Sequence, residues 1–255
     1  MKIGLLGSLS VVTREGGVRV AAGQQRIIIA RLAAEPGKLV ALDELIAAVW
    51  DESPPRNAKD SIRTLIFRTR ERLGKDSGLI ITEDAGYRLD VPPGDVDMTA
   101  FEALCRAGQT EAIAGDWHRA QDTFLEAEYL WRGAPFANVP SKKLREAHVP
   151  HLEQLFATAR QTRIEASVRL SLRACDAAAN ELARLAEEHP EREHLRWLLM
   201  LALYRAGRRH DAQSAFLECR EHSVREFGVE PGQDIQDLNN RIHGADPALL
   251  NEPFA

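Results

Sequence analysis

The sequence predicts a mainly α protein with a small β component, made of three helices closed by a β-hairpin and then an all-α array of helical hairpins. Three observations carry that prediction. Residues 54–74 read as one helix with a buried stripe and a basic opposite side. Two short alternating runs, 79–82 and 87–91, follow it around a turn. From residue 97 onward apolar positions recur at helical spacing, and two hairpins repeat the same residue offsets.

The elements follow in order. KIGLLGSLSVV and VRVA are β-prone runs separated by Glu15-Gly16-Gly17, which predicts a small antiparallel sheet. Gly4, Gly7, Ser8 and Ser10 break the first run, so it lacks the uninterrupted apolar stretch of a signal peptide. No run approaches the length of a membrane span, which predicts no membrane partner. A first helix runs through IIIARLAAE and stops at Pro36-Gly37. A second covers 42–50, with Leu42, Leu45, Ile46, Val49 and Trp50 for burial.

The third helix is bounded by Pro54-Pro55 and Gly74. Asn57 is placed to cap it, with Asp60 as the acid of a short capping box. Ala58, Ile62, Ile66, Thr69 and Leu73 share one face at three-four spacing. At 1.5 Å per residue the helix spans about 24 Å, enough to cross a major groove. Glu83-Asp84-Ala85-Gly86 then joins the two alternating runs as a hairpin. Three helices and a hairpin form a winged helix-turn-helix, whose third helix enters the major groove. Such domains of the OmpR type carry an N-terminal sheet like the one expected here.

Charge points the same way. The chain has 255 residues and a formal net charge of -5. Its third helix nevertheless carries Arg56, Lys59, Arg63, Arg68, Arg70 and Arg72 against only Asp60 and Glu71. Phosphates respond to that local excess, not to the molecular average. Residues 1–94 hold 14 basic and 12 acidic residues, and all of the net negative charge lies beyond them. The first part is therefore the candidate for nucleic acid and the acidic remainder for protein contacts.

The remainder reads as helical hairpins. Asp97 is placed to cap a helix to about Ala114, and Gly115-Asp116 turns the chain into a helix from Trp117 to Leu130. Helix 192–206 meets Gly207, and another runs from about 209 to 226. Gly115, Ala120, Phe124 and Ala127 fall at the same offsets as Gly207, Ala212, Phe216 and Cys219, a tetratricopeptide-like pattern. Residues 143–188 supply an intervening pair, which Pro150 should break or kink. Trp131-Arg132-Gly133 and the loop to Pro140 read either as a packed connector or as a partner surface.

Catalysis finds no support. Cys105, Cys175 and Cys219 fall on helical patterns as buried free thiols, the default in a reducing cytoplasm. His148 and His151 are separated by Pro150, without acidic or cysteine ligands near them in sequence, so no metal or cofactor is expected. GxSxG, HExxH and phosphate-loop motifs are missing, and the chain reads as a non-enzyme.

Together these stretches resemble the Streptomyces antibiotic regulatory proteins, which join an OmpR-like winged-helix domain to a bacterial transcriptional activation domain. The resemblance is carried by LLGSLSV at 5–11, GQQR at 23–26, LIAAVW at 45–50, PPRNA at 54–58, RERLG at 70–74 and GYRL at 86–89. It continues through LWRG at 130–133, LMLALYRAGRRHDA at 199–212 and EFGVEPG at 226–232, and covers about residues 2 to 243. It implies an OmpR-like DNA-binding domain over 1–94, an activation domain over 95–243 and a flexible tail over 244–255.

It further implies a cytoplasmic, nucleoid-associated activator of an antibiotic gene cluster. Such an activator binds double-stranded promoter DNA at direct repeats beside the −35 element, as a head-to-tail protomer pair. It recruits RNA polymerase holoenzyme, including its sigma factor. Larger members add an NTPase domain, for which this chain is too short. The alternative is a helical-repeat scaffold whose winged domain makes protein contacts.

On this reading Arg63, Thr64, Phe67 and Arg68 face bases, while Arg26, Arg56, Lys59, Arg70, Arg72 and Arg88 lie on the backbone. Three departures stand out. Glu83-Asp84-Ala85 replaces the arginine and prolines common in the family's wing, leaving Arg88 as its basic contact. Phe67 replaces a small polar residue, to touch a thymine methyl or to pack against the domain. Gln24-Gln25 stands where a lysine is frequent, which weakens one expected backbone contact.

Overall fold

The computed structural model describes residues 1–251. They form two compact units, one of residues 1–106 and 125–158, the other of 107–124 and 159 onward. The division falls within three long helices, so it does not follow the linear boundary near residue 94.

The first unit opens with an antiparallel sheet of β1 (Lys2–Gly4), β2 (Ser10–Thr13) and β3 (Gly16–Gly17). Ile3 faces Val11 in the register, and both are buried. The expected strand over VRVA does not form. Val18 adds one hydrogen bond to Val11 at 2.8 Å, and the ladder then ends. The carbonyls of Val20 and Ala21 accept instead from the Arg26 guanidinium, at 3.2 and 2.6 Å.

Helix α1 (Gly23–Ala34) is buried along Ile27, Ile28, Ile29, Ala30, Leu32 and Ala33, as suits a central helix. A short strand, β4 (Leu39–Ala41), precedes α2 (Leu42–Trp50) and was not read from the sequence. It pairs with β6 (Gly86–Leu89), which also pairs with β5 (Ile80–Glu83), giving the order β4-β6-β5. Gly86 is required there, because an added Cβ would lie 2.0 Å from the Val40 carbonyl oxygen. Helix α3 (Ala58–Leu73) buries all of Ala58, Ile62, Ile66, Thr69 and Leu73, the face expected from spacing.

The loop 131–140 is a packed connector within this unit. Its amides of Arg132, Phe136 and Ala137 donate to the carbonyls of Leu6, Leu5 and Gly7 at 2.9, 2.9 and 3.1 Å. Asp97 lies in the first turn of α4 (Asp97–Ile113), but its carboxylate is not spent on that helix. It accepts from the Leu5 amide at 2.6 Å and from Arg132 Nη2 at 2.9 Å. Trp131 stacks on Phe156 at 4.3 Å between ring centroids. Phe156 belongs to α6 (Lys142–Leu170), which runs through Pro150 without interruption. The expected break fails because proline removes only one donor, while Leu144 and Leu152 bury the helix on both sides of it.

The second unit is helical. The turn between α4 and α5 (Trp117–Tyr129) repeats in the turn between α8 (Glu193–Arg205) and α9 (Arg209–Phe227). Gly115 and Gly207 take φ of 77° and 78°. Each glycine amide donates three residues back and the next amide five residues back, a Schellman closure in both places. Ala120 and Ala212 are fully buried. An added Cβ on Gly108 would lie 2.9 Å from the Phe124 ring, which explains the small residue. Helix α7 (Cys175–Glu188) supplies the intervening element, and α8 packs on α7, α9 and α10 (Gln233–His243).

The expected flexible tail is corrected over 244–251. Tyr204 donates its hydroxyl to the Asp246 carbonyl at 3.1 Å, Arg241 pairs with Asp246 at 2.7 Å, and Leu249 in α11 (Ala248–Asn251) is fully buried. The remainder of the expected tail, 252–255, lies outside the described residues.

Candidate nucleic-acid interface

The candidate interface is the face of α3 opposite its buried stripe. Burial of Ile62, Ile66 and Leu73 fixes the helix rotation, so Arg63, Thr64, Phe67 and Arg68 all point to solvent. Arg63 is 64% exposed and pairs with Asp60 at 2.8 Å. That surface pair is weak, because both partners sit in water. Thr64 Oγ1 donates to the Asp60 carbonyl at 3.0 Å. Phe67 is 61% exposed, which settles its packing: the ring is not in the core. It borders a hollow of about 440 Å³ with Arg70, Gly74, Ser77 and Ile80. Asn57 occupies the cap position without a side-chain cap bond.

Among the described residues Arg56, Lys59 and Arg68 are exposed cations without an intramolecular partner. Arg72 is also exposed, with a 3.5 Å contact to the Arg19 carbonyl. These four remain available to an external anion.

The other three expected backbone contacts, Arg26, Arg70 and Arg88, have intramolecular partners. Arg26 donates through Nε to the Asn138 carbonyl at 2.6 Å besides holding Val20 and Ala21. Arg70 donates through Nη2 to the Ile80 carbonyl at 2.6 Å and to Thr82 Oγ1 at 2.8 Å, tying the hairpin to α3. Arg88 lies between Glu83 at 2.6 Å and Asp90 at 2.7 Å, and these hydrogen-bonded carboxylates raise its guanidinium pKa further. With Asp84 exposed at the tip, the wing has no uncompensated positive charge to offer a phosphate.

Sequence reasoning passed over a second hollow beside α3. It measures about 390 Å³ and is lined by Ala22, Gln24, Gln25, Leu65, Arg68, Glu71 and Arg72. Its signal was legible, since Ala22 occupies the cap position of α1 where a Ser, Thr, Asp or Asn would normally stand.

The histidine pair does not converge on a site. His148 stacks on Phe136 at 5.7 Å, and burial pushes its imidazole below the ordinary value. His151 faces Glu102 at 3.9 Å. Among the described residues no cluster of His, Cys, Asp and Glu could hold a metal. Burial raises the thiols of all three cysteines, Cys105 to about 12. Among the described residues no helix is long and apolar enough to cross a membrane.

Comparison with known proteins agrees with this architecture. Residues 96–243 match the family model of the bacterial transcriptional activator domain, and 21–89 match that of the transcriptional regulatory protein C-terminal domain. The chain is 31% identical over 258 residues to regulatory protein DnrI of Streptomyces peucetius, covering 98% of this chain and 94% of that protein. It is 34% identical over 251 residues to regulatory protein AfsR of Streptomyces coelicolor, covering 98% of this chain but 25% of AfsR. It therefore spans about a quarter of that relative's length. The structure of Mycobacterium tuberculosis EmbR in complex with low affinity phosphopeptide superposes with a TM-score of 0.84 at 29% identity, over 96% of this chain and 65% of that one. On these matches the chain belongs to the Streptomyces antibiotic regulatory proteins, transcriptional regulators that join an OmpR-like winged-helix domain to a bacterial transcriptional activator domain.

Proposed function

We propose that the protein is a sequence-specific activator of an antibiotic gene cluster that binds direct repeats near the −35 element and recruits RNA polymerase. One observation carries the DNA part: the exposed ridge of Arg63, Thr64, Phe67 and Arg68, flanked by Arg56, Lys59 and Arg72. A basic, solvent-facing third helix on a winged scaffold suits the major groove. Arg63 and Arg68 reach guanine edges, Phe67 reaches a thymine methyl, and the flanking cations lie on phosphates. Direct repeats place two protomers head to tail on one DNA face.

The polymerase contact falls to the helical unit. Leu217, Val224 and Phe227 form an exposed apolar stripe along α9, which supports a protein partner there. Holoenzyme with its sigma factor is that partner in this reading.

Footprinting on promoters of the neighbouring cluster, with and without polymerase, tests the proposal. Protection should recur at about 11 bp, roughly one helical turn. Arg63→Ala and Arg68→Ala should each relax base preference by about 1–3 kcal/mol at one position. Wild-type preference in both variants overturns the reading of α3. Absence of salt-dependent duplex binding favours instead a scaffold whose winged domain contacts proteins.

A further inference from the structure

We infer that Asp60 is a specificity-determining residue whose carboxylate accepts from the N4 amino group of a cytosine in the major groove. The inference rests on the DNA-binding function proposed above. It places an acid among the base contacts of a helix whose other outward charges are positive.

Burial of the opposite face fixes where Asp60 stands. At about 100° per residue, Ile62, Ile66, Thr69 and Leu73 lie about 180–240° around α3 from it. Phe67, Thr64 and Arg63 lie within about 60° of it, and Arg68 at about 80°. Asp60 is therefore at the middle of the exposed ridge, not at its margin. It also belongs to the first turn of α3, the end from which a recognition helix touches base edges. Its side chain is 74% exposed.

The capping role expected of this acid is not taken up. Asn57 makes no side-chain cap bond. Among the described residues the Asp60 carboxylate accepts only from Arg63 Nη1, through Oδ1 at 2.8 Å. Its Oδ2 keeps its acceptor capacity. The Thr64 hydroxyl is turned away from the carboxylate, because it donates to the Asp60 backbone carbonyl at 3.0 Å.

An ionised carboxylate only accepts hydrogen bonds, so phosphates and the acceptor atoms of the groove repel it. Two amino groups in the major groove can donate to it, on cytosine and on adenine. The adenine amino group lies beside the N7 acceptor, a pattern that suits a carboxamide. Cytosine N4 is the donor that suits an acid. Arg63 offsets the charge of Asp60 towards the phosphates, and their attraction strengthens as the groove excludes water.

The test measures binding of the full chain to duplexes that carry every single base-pair change across the footprinted repeat. The wild-type protein should favour cytosine at one position by about tenfold. Asp60→Ala should lose that preference and keep the guanine preference that Arg63→Ala abolishes. Asp60→Asn should exchange cytosine for adenine at the same position, since a carboxamide matches N6 and N7 together. N4-methylcytosine still pairs with guanine but withholds its outer hydrogen. Placed at that position it should weaken the wild-type protein about tenfold and leave Asp60→Ala unaffected.

An unchanged cytosine preference in Asp60→Ala and Asp60→Asn overturns the inference. So does a loss confined to the guanine read by Arg63, for Asp60 would then only position that arginine. If neither variant folds, the wild-type scan decides: no cytosine whose N4 methylation weakens binding overturns the assignment. Failure of the broader reading differs from all of these, because the wild-type protein would then bind no duplex even at low salt.

Discussion

Arg63 and Arg70 share one helix and have opposite surroundings. Arg63 is 64% exposed, with only a surface carboxylate beside it. Arg70 is half-buried and holds the hairpin through Ile80 and Thr82. Arg70→Ala should therefore lower folding stability by about 1–2 kcal/mol while leaving base preference alone, as thermal denaturation and duplex titration would show. The sequence assigned Arg63 to bases and Arg70 to the backbone, but did not show that Arg70 ties the hairpin to its helix. Both are basic residues on one helix, and only contacts across the fold give Arg70 its partners. The intramolecular partners of Arg26 and Arg88 were hidden for the same reason. By contrast, the exposed set of Arg63, Thr64, Phe67 and Arg68 was legible, because the buried stripe alone fixes which side faces out.

His148 makes a second residue-scale prediction. Burial first, then Arg31 nearby, depress its imidazole below the ordinary 6.5, with Glu35 opposing and His151 adding to the depression. A depressed value means the folded state resists the proton that the unfolded chain accepts. The stability linked to His148 is thus complete above about 6.5 and is lost as pH falls through the lower folded value. His148→Phe, which preserves the stack on Phe136, should flatten melting temperature against pH across this window. An unchanged pH slope in that variant rejects the linkage.

At the scale of elements, periodicity was a good guide wherever one face is buried over several turns. The face of α3 and the two hairpin turns were read correctly on that basis. Strand β4 escaped because it has three residues and buries only Val40, too short for alternation to register. The VRVA strand was over-read, since its carbonyls were claimed by a guanidinium that no local pattern reveals. The matched turns allow a paired prediction. Gly115→Ala and Gly207→Ala each force a left-handed backbone on a residue with a Cβ, costing about 1–2 kcal/mol apiece. Denaturant titration should find the two costs alike, because φ and the closing hydrogen bonds agree. Gly86→Ala should cost more, about 3 kcal/mol or beyond, as its Cβ strikes the Val40 carbonyl and unzips β4 from β6.

For the whole molecule the informative feature is that residues 125–158 belong to the same compact unit as the winged domain. A linear division at residue 94 removes the 131–140 connector, which leaves the carbonyls of Leu6 and Gly7 without these donors and that of Leu5 with the Gly7 amide alone. A fragment of residues 1–94 should accordingly melt well below the intact chain and lose protection of the first strand in hydrogen exchange. A fragment ending at 158 should keep that protection. The two family matches fall on either side of Pro92-Pro93-Gly94, whereas the extent of the compact unit was not legible, because the connector is held by hydrogen bonds across more than a hundred positions.

The Asp97 carboxylate, which receives Leu5 and Arg132 together, also constrains how operator specificity can be moved between relatives. A chimaera that exchanges the first ninety or so residues would bring together halves of a junction shaped in different lineages. Transplanting only the four outward side chains of the reading helix leaves that junction untouched. Retargeting such a regulator to a foreign promoter is thus better attempted by resurfacing one helix than by swapping domains.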